Sequence, residues 1–235
     1  MKDGGSKVLP AKKQRRENKL TLYLFLLPTI LLMGTFIYYP FVKTIGTSFF
    51  LTNATGKAVE FIGLENYQKI FSDSLFIQSI KNTFIYALIQ VPVTIVLAFL
   101  MAMAANKKRK VSWFYELTFA FPMAVSMSVA ALIFKLMLNP QIGIVNHIFG
   151  LDVQWFNGEK TALLSVIILG VWLGLGMDFL YLLSAVRSVP DDLIEAARID
   201  GCPNWKLMFK IYLPIMSPTV FYLICTNLAT AMMIS

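Results

Sequence analysis

Five stretches of this chain, residues 20–39, 82–105, 117–134, 161–186 and 211–235, contain between them one charged side chain, Asp178. A helix rises about 1.5 Å per residue, and a bilayer's hydrocarbon core is roughly 30 Å thick, so about 20 apolar residues cross it. Backbone N–H and C=O groups find no water there and must pair within the segment, as a helix does. The composition agrees with this reading: 14% of residues are charged and 57% hydrophobic, where a soluble domain carries about 25% charged residues. The expectation is an all-α polytopic membrane bundle with five spans at these positions. The first run follows Lys12, Lys13, Arg15 and Arg16, as a signal peptide would, but it exceeds the 7–15 residues of an h-region. Tyr38-Tyr39-Pro40 is no small-residue cleavage site.

Basic residues orient such a bundle, because loops rich in Lys and Arg stay in the cytoplasm. Residues 1–19 carry seven, 106–116 carry four (Lys107, Lys108, Arg109, Lys110) and 187–210 carry four. The alternate loops are poorer for their length, with four in 40–81 and two in 135–160. The N-terminus is therefore expected inside, as a basic cytoplasmic segment 1–19 ahead of a membrane domain 20–235, and loop 187–210 faces the cytoplasm. The net charge of +8 sits beside the apolar runs, which points to membrane lipid and not to nucleic acid. Cys202 and Cys225 are too few for a disulfide framework, and Cys225 reads as a small buried apolar residue. His147 is the only histidine and lies in an outer loop, so no metal site is expected.

Most spans hold proline: Pro28, Pro92, Pro122, and Pro214 with Pro218. Each frees a carbonyl that a neighbouring helix or water can satisfy. Such kinks are either packing features or the bends of a transporter core.

Loop 187–210 contains the most informative segment. Pro190 suits a helix start, and Asp191 and Asp192 follow at the positive end of the helix dipole. Leu193, Ala196 and Ala197 fall at i, i+3, i+4 and make one low apolar face. Gly201, after Asp200, is placed to end the helix in a left-handed turn. Pro203 then restarts a short helix with Trp205, Met208 and Phe209 on its apolar side. The result is a helix–Gly–helix hook between two spans. A plain reading makes it a surface helix lying in the membrane interface.

The hook carries a family resemblance. Glu195-Ala196-Ala197, three residues, Gly201, nine residues, then Ile211-x-Leu213-Pro214 resembles the cytoplasmic EAA loop of the permease subunits of binding-protein-dependent ABC importers. "FIGLENYQKIF", "IKNTFIYALIQVPVTIVLAFLMAMAANKK", "NPQIGIVNHIFGL" and "LSAVRSVPDDLIEAARIDG" are similar to the sugar-type (maltose or glycerol phosphate) branch of that family. The resemblance implies a type I importer permease in a bacterial cell membrane. Such permeases usually have six core spans, and the chain ends at the fifth. It also implies partners: a cytoplasmic ATPase dimer that binds ATP and Mg, a second permease subunit, and an extracytoplasmic substrate-binding protein. Leu193, Glu195, Ala196, Ala197, Asp200 and Gly201 would form the coupling loop to the ATPase. This chain has no G-x-x-x-x-G-K-[ST], so no cofactor of its own and no enzyme activity are expected.

In the resembling permeases, sugar contacts come from the fourth and fifth core spans. That implies a substrate path along Trp172, Gly174, Met177 and Asp178 in "GVWLGLGMDF" and Asn227 and Thr230 in "CTNLATAMM". Gly170, Gly174 and Gly176 would leave room beside the Trp172 ring. A carboxylate inside a span costs about 2.5–3.5 kcal/mol on the insertion scale, so Asp178 must face protein or water. It would bond a substrate or hold a neighbour in place. Asn227 and Thr230, three residues apart, would line the pore or bond a neighbouring helix. The alternative is a secondary transporter or another polytopic protein without ATPase coupling. The former tends to show inverted repeats, and none is clear in this sequence.

Overall fold

The computed structural model describes residues 11–106, 112–159 and 161–234. The basic run Lys107–Lys110 and residues 1–10, which carry much of the orientation argument, lie outside the described residues. The described chain forms two compact units, one up to Phe76 and one from Ile77 onward.

In the first unit the opening apolar run is helical well beyond Pro40. Helix α1 (Ala11–Met33) passes through a π turn at Gly34–Tyr38 into α2 (Tyr39–Thr47). The turn is widened because Pro40 has no N–H to give to an i−4 carbonyl, and the Tyr39 amide bonds Gly34 O five residues back. The apolar span is Tyr23–Thr47, so the loop expected from Pro40 starts later. Its large side chains point outward, Phe25 and Phe36 being 79% and 73% exposed. Such a surface is stable against lipid, not water. A short antiparallel hairpin follows, β1 (Phe50–Thr52) with β2 (Ala58–Phe61), and then α3 (Glu65–Ser72). The Asn53 side chain closes the hairpin loop by accepting from the Thr55 and Lys57 amides. This hairpin is the one departure from helix and loop among the described residues.

The second unit is built on two long spans, α4 (Ser74–Ala105), most of which lies in it, and α8 (Ala162–Arg187). Ala87, Ala98, Ala102 and Ala105 are buried along α4. Small residues let membrane helices approach closely, where hydrophobic driving force is absent and van der Waals contact must hold them. The glycines of α8 do the same. A Cβ at Gly170 would collide with the Tyr86 hydroxyl, and one at Gly174 would lie 3.1 Å from Thr94 Cγ2. Tyr86 and Thr94 of α4 thus take up part of the room expected beside Trp172.

The third apolar run does not cross as one helix. Helix α5 (Ser112–Ala120) gives way to a 3-10 turn (Phe121–Ala124), and α6 (Met127–Met137) leaves at 98° to the first part, followed by a short α7 (Ile144–Phe149) in the loop before α8. Pro122 is buried at the break, and Ser126 caps α6 by accepting from the Val129 amide. The break packs on α8 at Gly176, where an added Cβ would lie 2.6 Å from Met123 N and 3.0 Å from Ala120 O. Phe119 meets the fully buried Phe179 edge-on at 5.4 Å. Farther along the same pair of helices, Arg187 donates to Glu116 with Nη2–Oε1 2.5 Å and Nη1–Oε2 3.5 Å. Both partners are partly exposed, so the ion pair contributes no more than about 1 kcal/mol. Glu116→Gln is expected to change the melting temperature of the purified protein only slightly. Glu116→Lys, which sets like charges together, should lower it more, and Glu116→Lys with Arg187→Glu should recover most of that loss. A full loss that the double exchange does not recover would show that the pair is not what joins these ends.

The chain then turns through α9 (Asp191–Ile199) and α10 (Asn204–Leu207) into α11 (Leu213–Ile234). The expected short second helix is continuous with the fifth span, through a π turn at Met208–Tyr212 in which the Leu213 amide bonds Met208 O. As in the first span, the turn ends two residues before a proline, here Pro214, and absorbs its missing donor. Cys225, expected to be buried, is exposed on α11.

Candidate functional site

Two places bring together the residues singled out above. The first is the hook. Helix α9 ends in a full Schellman turn: the Cys202 amide bonds Ala197 O at 2.9 Å and the Gly201 amide bonds Arg198 O at 3.0 Å. Gly201 has φ +72°, a conformation glycine enters without the Cβ penalty of other residues. The helix is held to the second unit by Ile194, which is buried while its neighbour Leu193 is 48% exposed. Glu195, Ala196 and Asp200 are also exposed and Ala197 is half-buried. Trp205 and Phe209 face outward too. Ile194 escaped the sequence reading because Leu193 and Ile194 are adjacent and equally apolar, and only packing chooses which turns inward. Behind the hook lies a cleft of about 670 Å³ lined by Ala104, Asn106, Ile194, Arg198 and Tyr212 among others.

The second place is a cleft of about 330 Å³ between α4, the break, α8 and α11. Tyr86, Gln90, Gly174, Asn227 and Thr230 are among its lining residues. Gly174, Asn227 and Thr230 were singled out from the sequence; Tyr86 and Gln90 were not. Gln90 and Thr94, one turn apart and both buried, are polar residues in a charge-free run, and that spacing was a readable signal. Asp178 is 3% exposed and does not line the cleft. Its Oδ2 accepts from Asn227 Nδ2 at 2.7 Å, tying α8 to α11. Trp172 stands outside the cleft lining, with its ring 5.5 Å from that of Phe134, and Met177 is exposed.

A bundle of apolar spans, one of them broken at Pro122, with a cleft that sets Tyr86, Gln90, Asn227 and Thr230 among apolar side chains and a helix–Gly–helix hook between α8 and α11, has the build of a transporter's membrane subunit. The comparisons agree. The chain belongs to the family of binding-protein-dependent transport system inner membrane components, whose model matches residues 90–234. It is 33% identical over 206 residues to a probable ABC transporter permease protein, YurN, of Bacillus subtilis, covering 84% of this chain and 70% of that one. It is 30% identical to the sn-glycerol-3-phosphate transport system permease protein UgpA of Agrobacterium fabrum, covering 89% and 73%. It is also 30% identical to the sulfoquinovosyl glycerol transport system permease protein SmoG of the same organism, covering 92% and 71%. Among solved structures, a bacterial ABC transporter involved in import of the acidic polysaccharide alginate superposes with a TM-score of 0.76 at 25% identity, covering 95% of this chain and 77% of that one. Crystals of a bacterial alginate ABC transporter in complex with its alginate pentasaccharide-bound periplasmic protein give 0.73 at 26% identity, over 91% and 73%.

Proposed function

We propose that this chain is the permease subunit of a sugar or polyol importer, driven by a separate cytoplasmic ATPase through the α9–Gly201–α10 hook. The observation that carries the coupling role is the hook's hydrogen-bonded turn, buried anchor and outward-facing side chains. Its fold is closed by backbone bonds around Gly201 and anchored by Ile194, yet Leu193, Glu195 and Ala196 are left facing outward. A rigid lever transmits a push from a partner, where a flexible loop would absorb it. ATP and Mg belong to that ATPase, which works as a dimer, and the chain has no hydrolytic site of its own. A second permease subunit completes the path, and an extracytoplasmic binding protein delivers the substrate. The substrates named for the relatives, glycerol phosphate and sulfoquinovosyl glycerol, and the neighbour's alginate each carry an acidic group beside several hydroxyls, and it is the shared hydroxyls that support polyhydroxylated cargo here. The substrate path is the cleft holding Gly174, Asn227 and Thr230, backed by Asp178, with Trp172 and Met177 beside it on α8.

The test is purification through a tag on this chain from cells that express the complete transporter. An ATPase should come with it, and its hydrolysis in proteoliposomes should rise several-fold with substrate-loaded binding protein. Recovery of the assembled chain without any ATPase would refute the coupling role. Orientation follows from the basic loops, with the N-terminus and the hook in the cytoplasm. With Cys202 and Cys225 replaced by serine, a cysteine at Asn157 should react with an impermeant thiol reagent on intact cells, and one at Lys206 should react only after lysis. The reverse pattern would invert the topology.

A further inference from the structure

The polar atoms of the 330 Å³ cleft are not free to choose their hydrogen-bonding sense. Asp178 Oδ2 accepts from Asn227 Nδ2 at 2.7 Å, so Asn227 turns its amide nitrogen towards the carboxyl group. That orientation puts Oδ1 on the far edge of the amide. Because Asp178 is buried behind Asn227 and absent from the lining, the far edge is the one open to a ligand. Gln90 is fixed in the same way. The Thr94 hydroxyl donates to Gln90 O at 2.8 Å, so it accepts from Gln90 Nε2 at 3.1 Å. The same nitrogen makes a long contact of 3.5 Å to the Gly170 carbonyl, which cannot donate. The Gln90 assignment therefore follows from partners of a single sense, and the Asn227 assignment from its contact with the Asp178 carboxyl group. Thr230 gives its proton to Thr226 O at 2.9 Å and keeps only lone pairs. Tyr86 adds a phenol that can donate or accept. Among the described residues, no Lys, Arg or His lines the cleft.

We infer that Asp178 is a positioning residue that locks Asn227 as an acceptor, and that this cleft takes neutral, hydroxyl-rich sugars or polyols and rejects phosphorylated or acidic ones. The inference rests on the cleft being the substrate path. A sugar hydroxyl donates to Asn227 Oδ1, Gln90 Oε1 and Thr230 Oγ1. A phosphate or carboxylate meets acceptors at these three atoms, with the Tyr86 hydroxyl as the donor left to it and no Lys, Arg or His among the described lining residues. Discrimination of this kind is large where mismatched polar groups are left unpaired among apolar side chains, which make up most of this lining.

The experiment is uptake into proteoliposomes holding the complete transporter and its binding protein. One arm is a set of neutral probes (glycerol, maltose, trehalose, raffinose), the other an anionic set (glycerol 3-phosphate, digalacturonate). At least one neutral probe should be taken up at ten times the rate of either anion or faster. Uptake of an anion at a comparable rate overturns the charge inference and leaves the importer reading standing. No uptake in either arm, with binding-protein-stimulated hydrolysis intact, overturns the sugar reading itself. The second measurement is Asp178→Asn, scored per mole of assembled complex. Released from the carboxylate, Asn227 can reverse its amide, and the neutral-to-anionic uptake ratio should fall at least tenfold. A merely structural Asp178 would lower the yield of complex and leave that ratio unchanged, which overturns the positioning role. If Asp178→Asn does not assemble, Asn227→Ser carries the same ratio test, since it keeps a hydroxyl donor for Asp178 and withdraws the carbonyl.

Discussion

Replacing Gly201 with valine is expected to cut the ATPase recovered with this subunit at least tenfold, with membrane insertion unchanged. An added Cβ at Gly201 meets nothing within 4 Å, so no clash inside the chain is involved. The cost is conformational. A side chain held at φ +72° raises the energy by roughly 1–2 kcal/mol, and a β-branched one is worse than most. Each 1.4 kcal/mol is about a factor of ten in an equilibrium. The chain escapes the strain by opening the two bonds that end α9, from Cys202 to Ala197 and from Gly201 to Arg198. The hook then loses its fixed angle, and hydrolysis in whatever complex remains should no longer depend on the binding protein. Gly201→Asn should be milder, because asparagine tolerates the left-handed region better than other residues. Equal and normal ATPase recovery for the valine and asparagine variants would mean that the turn is not under tension in the docked state.

A second large effect is expected at Gly176, for the opposite physical reason. Its φ is ordinary, but backbone atoms of the break lie where a side chain would go, Met123 N at 2.6 Å and Ala120 O at 3.0 Å from an added Cβ. Backbone cannot swing aside as a long side chain can. Gly176→Val must push α8 off the break and open the contact between Phe119 and Phe179. Overpacking of this sort costs about 1–3 kcal/mol and sometimes more. The yield of folded protein in detergent should fall several-fold, and its melting temperature by several degrees. Gly46→Val is the control, since an added Cβ there meets nothing within 4 Å. If both variants melt together at the wild-type temperature, the break does not pack on α8 as described.

These glycines mark the limit of what the sequence could tell. The five apolar runs were legible because charge is so rare inside a membrane that its absence alone outlines a span. Helical breaks were not. Pro122 reads the same whether it kinks a span or, with Ser126 capping a new helix, divides one at 98°. Pro40 read as an end, yet a π turn carries the helix past it to Thr47. The Gly201 turn was legible because its requirement is local, a φ that few residues tolerate. Gly170, Gly174 and Gly176 read as spare room because close approach is a property of pairs of helices, and their partners, Tyr86, Thr94 and the break, are far away in sequence. The same holds for the cleft. Asn227 and Asp178 stood out singly, but their bond joins residues 49 apart, and no local pattern announces it. Trp172 stood out as a ring on the implied substrate path, and its contact with Phe134 depends on where α6 goes after the break.

The hook as the joint to an ATPase is the central claim, and one measurement reaches it directly. A photo-reactive benzoylphenylalanine is placed at Leu193, exposed on α9, in the complete transporter in native membranes, with the buried Ile194 as the companion position. Irradiation should give an adduct whose mass and peptides are those of the nucleotide-binding subunit at Leu193 and little or none at Ile194, with a yield that changes when ATP is bound. Adducts at Leu193 with lipid alone, in membranes where the ATPase is present and active, would contradict the account and leave the hook as an interfacial helix.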